Sequence, residues 1–345
     1  MIEGARPKER MGMKVFLSDT LLFISATANH VFLMMYWVWL PGLFLSALLH
    51  ARYRRRIWER CVPGGGALSS YLYAVGLGLT ASLDQRRNLE EARALIQKGT
   101  TKTTFGFLVA SRNLPPYALS FITLLVGLEF FLGMALGALI LVGIMVGLSQ
   151  LIARPEPITT RSDFVFPSPD WREGVKYIGR EAKAIWPSFI YGLILAGVIA
   201  ALGRQDWWID FSTVGGGGFP TQLLNATLGS LAAVVLFTSP LGNLLIASFL
   251  WKSYAPGYVG VISFILASSA SPWALRACSR TLGRKAGPSF AALTFLGSIL
   301  SALAVVGVFY IIGFEVTHTP LFHELVNKLM MFFSLSGRGM GGMQM

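Results

Sequence analysis

The sequence predicts an all-α integral membrane protein made of two inverted-topology repeats, each holding a discontinuous, half-membrane helix. Three observations carry the prediction. Hydrophobic residues make up 54% of the 345 and charged residues only 13%, with a mean hydropathy of +0.58. Soluble domains carry about 25% charge. Apolar runs near the ~20 residues that span a bilayer stand at 130–153 and 289–313. Finally, a short apolar element occurs twice. Phe107-Leu108-Val109-Ala110-Ser111 precedes Pro115, and Phe264-Ile265-Leu266-Ala267-Ser268 precedes Pro272, each 157 residues after its counterpart. Interrupted apolar segments at matching places in two halves mark the midplane site of transporters.

The chain divides in order. Residues 1–30 form a basic, interfacial segment with no small-residue cleavage site after an apolar core, so no cleaved signal peptide is expected. Asn29-His30 marks a turn before the span 31–51, and whether 15–30 spans or lies on the membrane stays open. Arg52, Arg54, Arg55 and Arg56 follow and set that end in the cytoplasm. A half-length piece, 68–83, leads to Asp84-Gln85-Arg86-Arg87 and a helix over 88–97, with Glu90 and Glu91 in its first turn and Gly99 as its stop. The first broken element, 100–111, gives way at Pro115-Pro116 to the span 130–153 and closes repeat 1, residues 31–153. Residues 154–184 read as a cytoplasmic linker.

Repeat 2 covers 185–313. Its first span, 185–202, ends at Arg204-Gln205-Asp206-Trp207-Trp208, an acidic-aromatic mix suited to the outer interface. The span 223–238 breaks at Ser239-Pro240-Leu241-Gly242-Asn243, followed by a short helix from Leu244 and the second broken element, 257–268. Arg276, Arg280, Arg284 and Lys285 mark a cytoplasmic end before 289–313. The span 130–153 therefore runs inward and its counterpart outward, and the first spans of the two halves are opposed in the same way. Matching spans of opposite direction are what inverted repeats produce. Residues 314–345 form an amphipathic tail, with Leu321, Phe322, Leu325 and Leu329 at helical spacing. In all, about eight to ten membrane-embedded segments are expected.

The net charge of +12 sits at the ends of apolar segments, which points to topology and anionic lipid and excludes nucleic acid as a partner. Cys61 and Cys278 lie beside cytoplasmic basic segments, so no disulfide framework is expected. The four histidines, His30, His50, His318 and His323, lack zinc spacing, and no phosphate-binding Gly-x-x-x-x-Gly-Lys-Ser/Thr loop or catalytic elbow occurs. No cofactor, no metal and no enzymatic activity are expected. The location expected is a bacterial or archaeal cytoplasmic (inner) membrane, with the lipid bilayer as the constant partner.

The second half also carries a resemblance. Gly242-Asn243-Leu244-Leu245-Ile246-Ala247, then Leu250-Trp251, then Gly260-Val261-Ile262-Ser263-Phe264-Ile265-Leu266-Ala267 resembles the predicted-permease family that includes organoarsenical efflux permeases. Lys98-Gly99-Thr100-Thr101, Gly106-Phe107-Leu108 and Pro115 are similar to the same family's first half. The family's core cysteines fall near 84–87 and at about Ser239, where this chain has no thiol, so a soft ligand for arsenic is missing. The resemblance implies a permease scaffold without the soft-ion chemistry.

The residue types at the breaks define a candidate substrate site. Asp84 and Arg86 form a charged cluster beside the first broken element, read either as a proton carrier and anion contact or as a surface anchor for a helix end. Gly242 and Asn243, with Ser239, stand at a helix break where free backbone groups hold ligands, or where Asn243 caps the helix from Leu244. Ser111, Asn113, Ser268 and Ser269 would line the same space from the two broken elements, unless they serve interhelical packing. The function expected is secondary transport of a small solute by alternating access. The alternative is a non-transporting accessory or scaffold subunit held among other membrane subunits.

Overall fold

Prolines and glycines stand at many of the boundaries between the helices. The computed structural model describes residues 18, 21, 40–82, 84–152, 171–202, 218–236, 240–252, 257–314 and 316. Helix accounts for 87% of the structure, and no strand occurs among the described residues. In the first half the helices are α1 (Leu40–Arg60), α2 (Ala67–Leu79), α3 (Gln85–Gln97), α4 (Thr101–Asn113), α5 (Pro116–Leu125) and α6 (Leu128–Gly147). The second half has α7 (Trp171–Leu202), α8 (Phe219–Val235), α9 (Pro240–Lys252), α10 (Gly257–Ala267), α11 (Pro272–Leu282) and α12 (Ala286–Ile311). Among the described residues three stretches are long and apolar enough to cross a membrane: Leu128–Gly147, Gly257–Leu282 and Ala286–Ile311. They identify a membrane protein.

Packing follows the helix order. The most extensive contact within the first half is α2 on α4, and within the second it is α8 on α10. Between halves α3 meets α11, α9 meets α5, α6 meets α12 and α1 meets α7. Small residues allow these approaches, as they do wherever helices lack a hydrophobic drive to associate. A Cβ on Gly229 of α8 would lie 2.0 Å from the Gly260 carbonyl oxygen of α10, so backbone rests on backbone. Beside that contact the Ser230 hydroxyl bonds those of Ser263 and Ser298, joining α8, α10 and α12, and Ser263 donates to the Ala226 carbonyl at 2.7 Å. Each such bond contributes about 0.6 kcal/mol.

The end of α2 is covered by polar side chains of its neighbours. Its last carbonyls lack intrahelical partners and would be costly if left bare. Side chains from three helices cover the turn after it. Arg54 of α1 donates to the Thr80 carbonyl and to the Glu91 carboxylate, and His50 Nδ1 lies 2.9 Å from the same Thr80 oxygen. Tyr177 of α7 donates its hydroxyl to the Ala81 carbonyl at 2.9 Å, and Asn88 Nδ2 donates to the Ser82 carbonyl at 2.7 Å. Ser82 in turn donates to the Glu181 carboxylate and accepts from the Asp84 N–H at 3.0 Å.

Several expected boundaries move. Asp84 caps α3, accepting from the Arg86 N–H at 3.0 Å, so the helix starts three residues earlier than 88. That shift takes Glu91 out of the first turn and puts it on the buried face opposite Arg54. Gly99, expected as the C-cap, stands one residue past it with φ +79, and Lys98 is the C-cap. The linker is shorter than 154–184, because α7 begins at Trp171 and runs unbroken past Pro187. The helix expected from Leu244 begins at Pro240, since proline at the first helical position forfeits only an N–H with no intrahelical partner. Asn243 therefore lies inside α9 and is not its cap. The span 130–153 ends as a helix at Gly147, followed by a 3-10 turn, Ser149–Leu151. The segment 1–17, Asn29-His30, Ser239, Arg204–Trp208 and the tail from 317 lie outside the described residues.

Candidate functional site

The two related elements are almost wholly enclosed. Every residue of α4 from Thr103 to Asn113 is buried, as is every residue of α10 from Val259 to Ala267. Phe107 and Phe264 are each 0% exposed. At about 1.5 Å per residue α4 is roughly 20 Å long, short of the ~30 Å apolar core of a bilayer. The proline rings stop both elements. Pro115 precedes α5, which starts at Pro116, and Pro272 opens α11 after the 3-10 turn Ser268–Ala270. Ser271 caps α11 by accepting from the Ala274 N–H at 3.4 Å.

The breaks meet through one charged residue. Arg112, 8% exposed, donates from Nη1 to the Ser268 carbonyl at 3.0 Å, a bond between positions 156 residues apart. Arg112 and Ser269 occupy matching places in the 157-residue offset, so the second element offers a hydroxyl where the first has a guanidinium. Arg112 Nε and Ser269 Oγ are both buried without a hydrogen-bond partner. Among the described residues no carboxylate lies within ion-pair distance of Arg112.

A narrow cleft with room for only a few waters lies at this junction. Leu108, Ser111, Arg112 and Tyr117 line it from the first half, and Ser269, Ala274, Cys278 and Phe290 from the second. Ser82, Gln85, Asn88 and Leu89 complete it from the α2–α3 turn and α3. No Asp or Glu is among the lining residues. Tyr117 belongs to the first turn of α5 and Ala274 to the first turn of α11, so two helix N-termini, the positive ends of their dipoles, border the cavity.

The structure thus brings some of the predicted site residues together and separates others. Ser111 and Ser269 face the cleft, with the Ser111 hydroxyl also donating to the Leu108 carbonyl at 3.1 Å. Ser268 contributes its carbonyl to Arg112. Asn113 is buried one residue away and returns its amide to the Val109 carbonyl at 3.2 Å. Asp84 and Arg86 are exposed at the start of α3, outside the cleft lining. Gly242 sits in the first turn of α9, where a Cβ on Gly192 of α7 would come within 2.5 Å of its Cα. Asn243 is 1% exposed, with neither amide atom hydrogen-bonded. Arg112 is the residue that sequence reasoning passed over. Its signal was present, as the one charge between Thr103 and Leu114. Among the described residues no cluster of three His, Cys, Asp or Glu side chains occurs. Searches against family models, curated proteins and solved structures return no match, so the site is read from its own chemistry.

Proposed function

We propose that this chain is a permease-like membrane protein in which two inverted repeats carry a small solute through the junction of their broken helices. The observation that carries the reading is the Arg112–Ser268 contact with a polar-lined cleft at it. An ionisable side chain at membrane depth is costly and is retained where it serves a cavity or pathway. The repeat is supported by the order of the six helices described in each half. It is supported further by the reciprocal contacts of α3 with α11 and α9 with α5. Opposed positive-inside signals at 52–56 and 276–285 give the two halves opposite directions. The resemblance to the predicted-permease family fits the same scaffold.

The test uses a native thiol. In a Cys61→Ser background Cys278 is the one cysteine left, and it lines the cleft. A membrane-impermeant methanethiosulfonate is applied to right-side-out and to inside-out vesicles. A permease gives labelling of Cys278 from both faces. Labelling from neither face, or from one face under every condition, overturns the reading.

A second reading is favoured by the near-complete burial of α4 and α10 and by a cleft with room for only a few waters. Such a core suits a subunit that holds a larger membrane assembly together. Purification from native membrane at fixed stoichiometry with other chains, with Cys278 unreactive throughout, is the outcome that reading expects.

A further inference from the structure

We infer that the solute site selects an oxyanion, with Arg112 as the charge-reading residue and Ser269 as its neutral hydrogen-bond donor. The inference rests on the permease reading and adds the substrate class: a small soluble molecule bearing a carboxylate, phosphate or sulfate.

Four features converge. The guanidinium stays charged at neutral pH and presents five N–H donors in a planar fork. One of its nitrogens binds the Ser268 carbonyl, while Nε has no partner although it is buried. A hydrogen bond to a carbonyl needs only a neutral donor such as an amide, so the charge is surplus to that contact. A buried charge is ordinarily paired. Here the described residues provide no carboxylate for it, and the cleft wall contains none. The missing counter-charge is therefore assigned to the ligand. Ser269 Oγ, 2% exposed and without a partner, is a second unspent donor on the same wall. The first turns of α5 and α11 border the cavity through Tyr117 and Ala274, and their dipoles also favour negative charge. A cation or a neutral apolar solute would leave Arg112 Nε and Ser269 Oγ unmatched.

Cys278 on the same wall reads the charge directly. Full-length Cys61→Ser protein, purified in detergent, is reacted with methanethiosulfonates of equal size carrying either a sulfonate or an ammonium. Each rate is divided by the rate with free cysteine, which cancels the reagents' intrinsic reactivities. The anionic reagent is expected to be favoured by about tenfold or more, as a nearby fixed charge in a partly desolvated site dictates. Arg112→Gln is expected to collapse the preference to about onefold, and Arg112→Lys to keep most of it. Sodium acetate, phosphate or sulfate at matched ionic strength should slow labelling, whereas chloride should not. Should Arg112→Gln fail to fold, the preference and its protection in the parent protein, with Arg112→Lys, still decide.

Reaction without charge preference, or a preference unchanged in Arg112→Gln, overturns the anion assignment and leaves the permease reading standing. Protection by phosphatidylglycerol but by none of the free oxyanions makes the ligand a lipid headgroup and overturns the soluble-solute assignment. An unreactive Cys278 removes the cleft as a solute site, and with it both readings.

Discussion

Two buried arginines stand in opposite chemical situations. Arg54 is 3% exposed and fully answered: a carboxylate from Glu91, a carbonyl from Thr80, and helices α1 and α3 drawn together around the pair. Arg112 is 8% exposed and answered by one carbonyl. A charge that has found its opposite belongs to the architecture. A charge buried without one has been held back, at a cost in stability, and function is the ordinary reason for tolerating that cost.

Stability measurements on variants can break or sharpen this contrast. The largest effect is expected at the architectural pair. Arg54→Leu strands the Glu91 carboxylate and uncovers the Thr80 carbonyl, costing about 3–5 kcal/mol, read as a steep fall in the midpoint of thermal unfolding in detergent. The double variant Arg54→Met/Glu91→Leu should recover most of that loss, because both charges leave together. Ser82→Ala removes the hydroxyl that serves Glu181 and the Asp84 N–H, for about 2 kcal/mol by the same measurement. Tyr177→Phe deletes a single bond to the Ala81 carbonyl, for about 1 kcal/mol. Smallest of all is Arg112→Leu. Losing the Ser268 contact and relieving an unpaired charge nearly offset one another, so the midpoint should change by no more than about 1 kcal/mol in equivalent stability. If Arg112→Leu unfolds the protein as thoroughly as Arg54→Leu, the two arginines do the same job and the contrast fails.

What could be read in advance was whatever depends on neighbouring residues. Phe107 and Phe264 fall on two short, enclosed helices, and Pro115 and Pro272 end those helices because a ring that fixes φ and lacks an N–H acts within a turn. Ser111 and Ser269 meet at one cleft because each stands at a break, Ser111 matching Ser268 and Ser269 matching Arg112 at the 157-residue offset. Features that depend on distant partners were not readable. Nothing near Glu91 announces Arg54, 37 residues upstream, so the charged stretch after Asp84 looked like a possible site when part of it is an anchor. Arg112 hid for a related reason. With Ser111 and Asn113 beside it, it resembled ordinary polar punctuation at a helix end, and only the Ser268 carbonyl opposite and the lack of a carboxylate make it stand out. Asn243 is expected either in the substrate site or as the cap of a helix from Leu244 because Gly242 suggests a break, while Pro240 already starts the helix and excludes the cap.

The seat of Gly229 on Gly260 bears on how the molecule can move. With peptide against peptide and the serine hydroxyls locked beside it, α8 and α10 have no slack to slide or roll past each other, and α12 is tethered to both. These three helices form a stiff wedge that carries Ser268 and Ser269 at its tip. A stroke that parts Ser268 from Arg112 would then fall along the seams of α6 with α10 and α12, where glycines of α6 meet the side chains of Tyr258, Ile262, Leu266 and Val305.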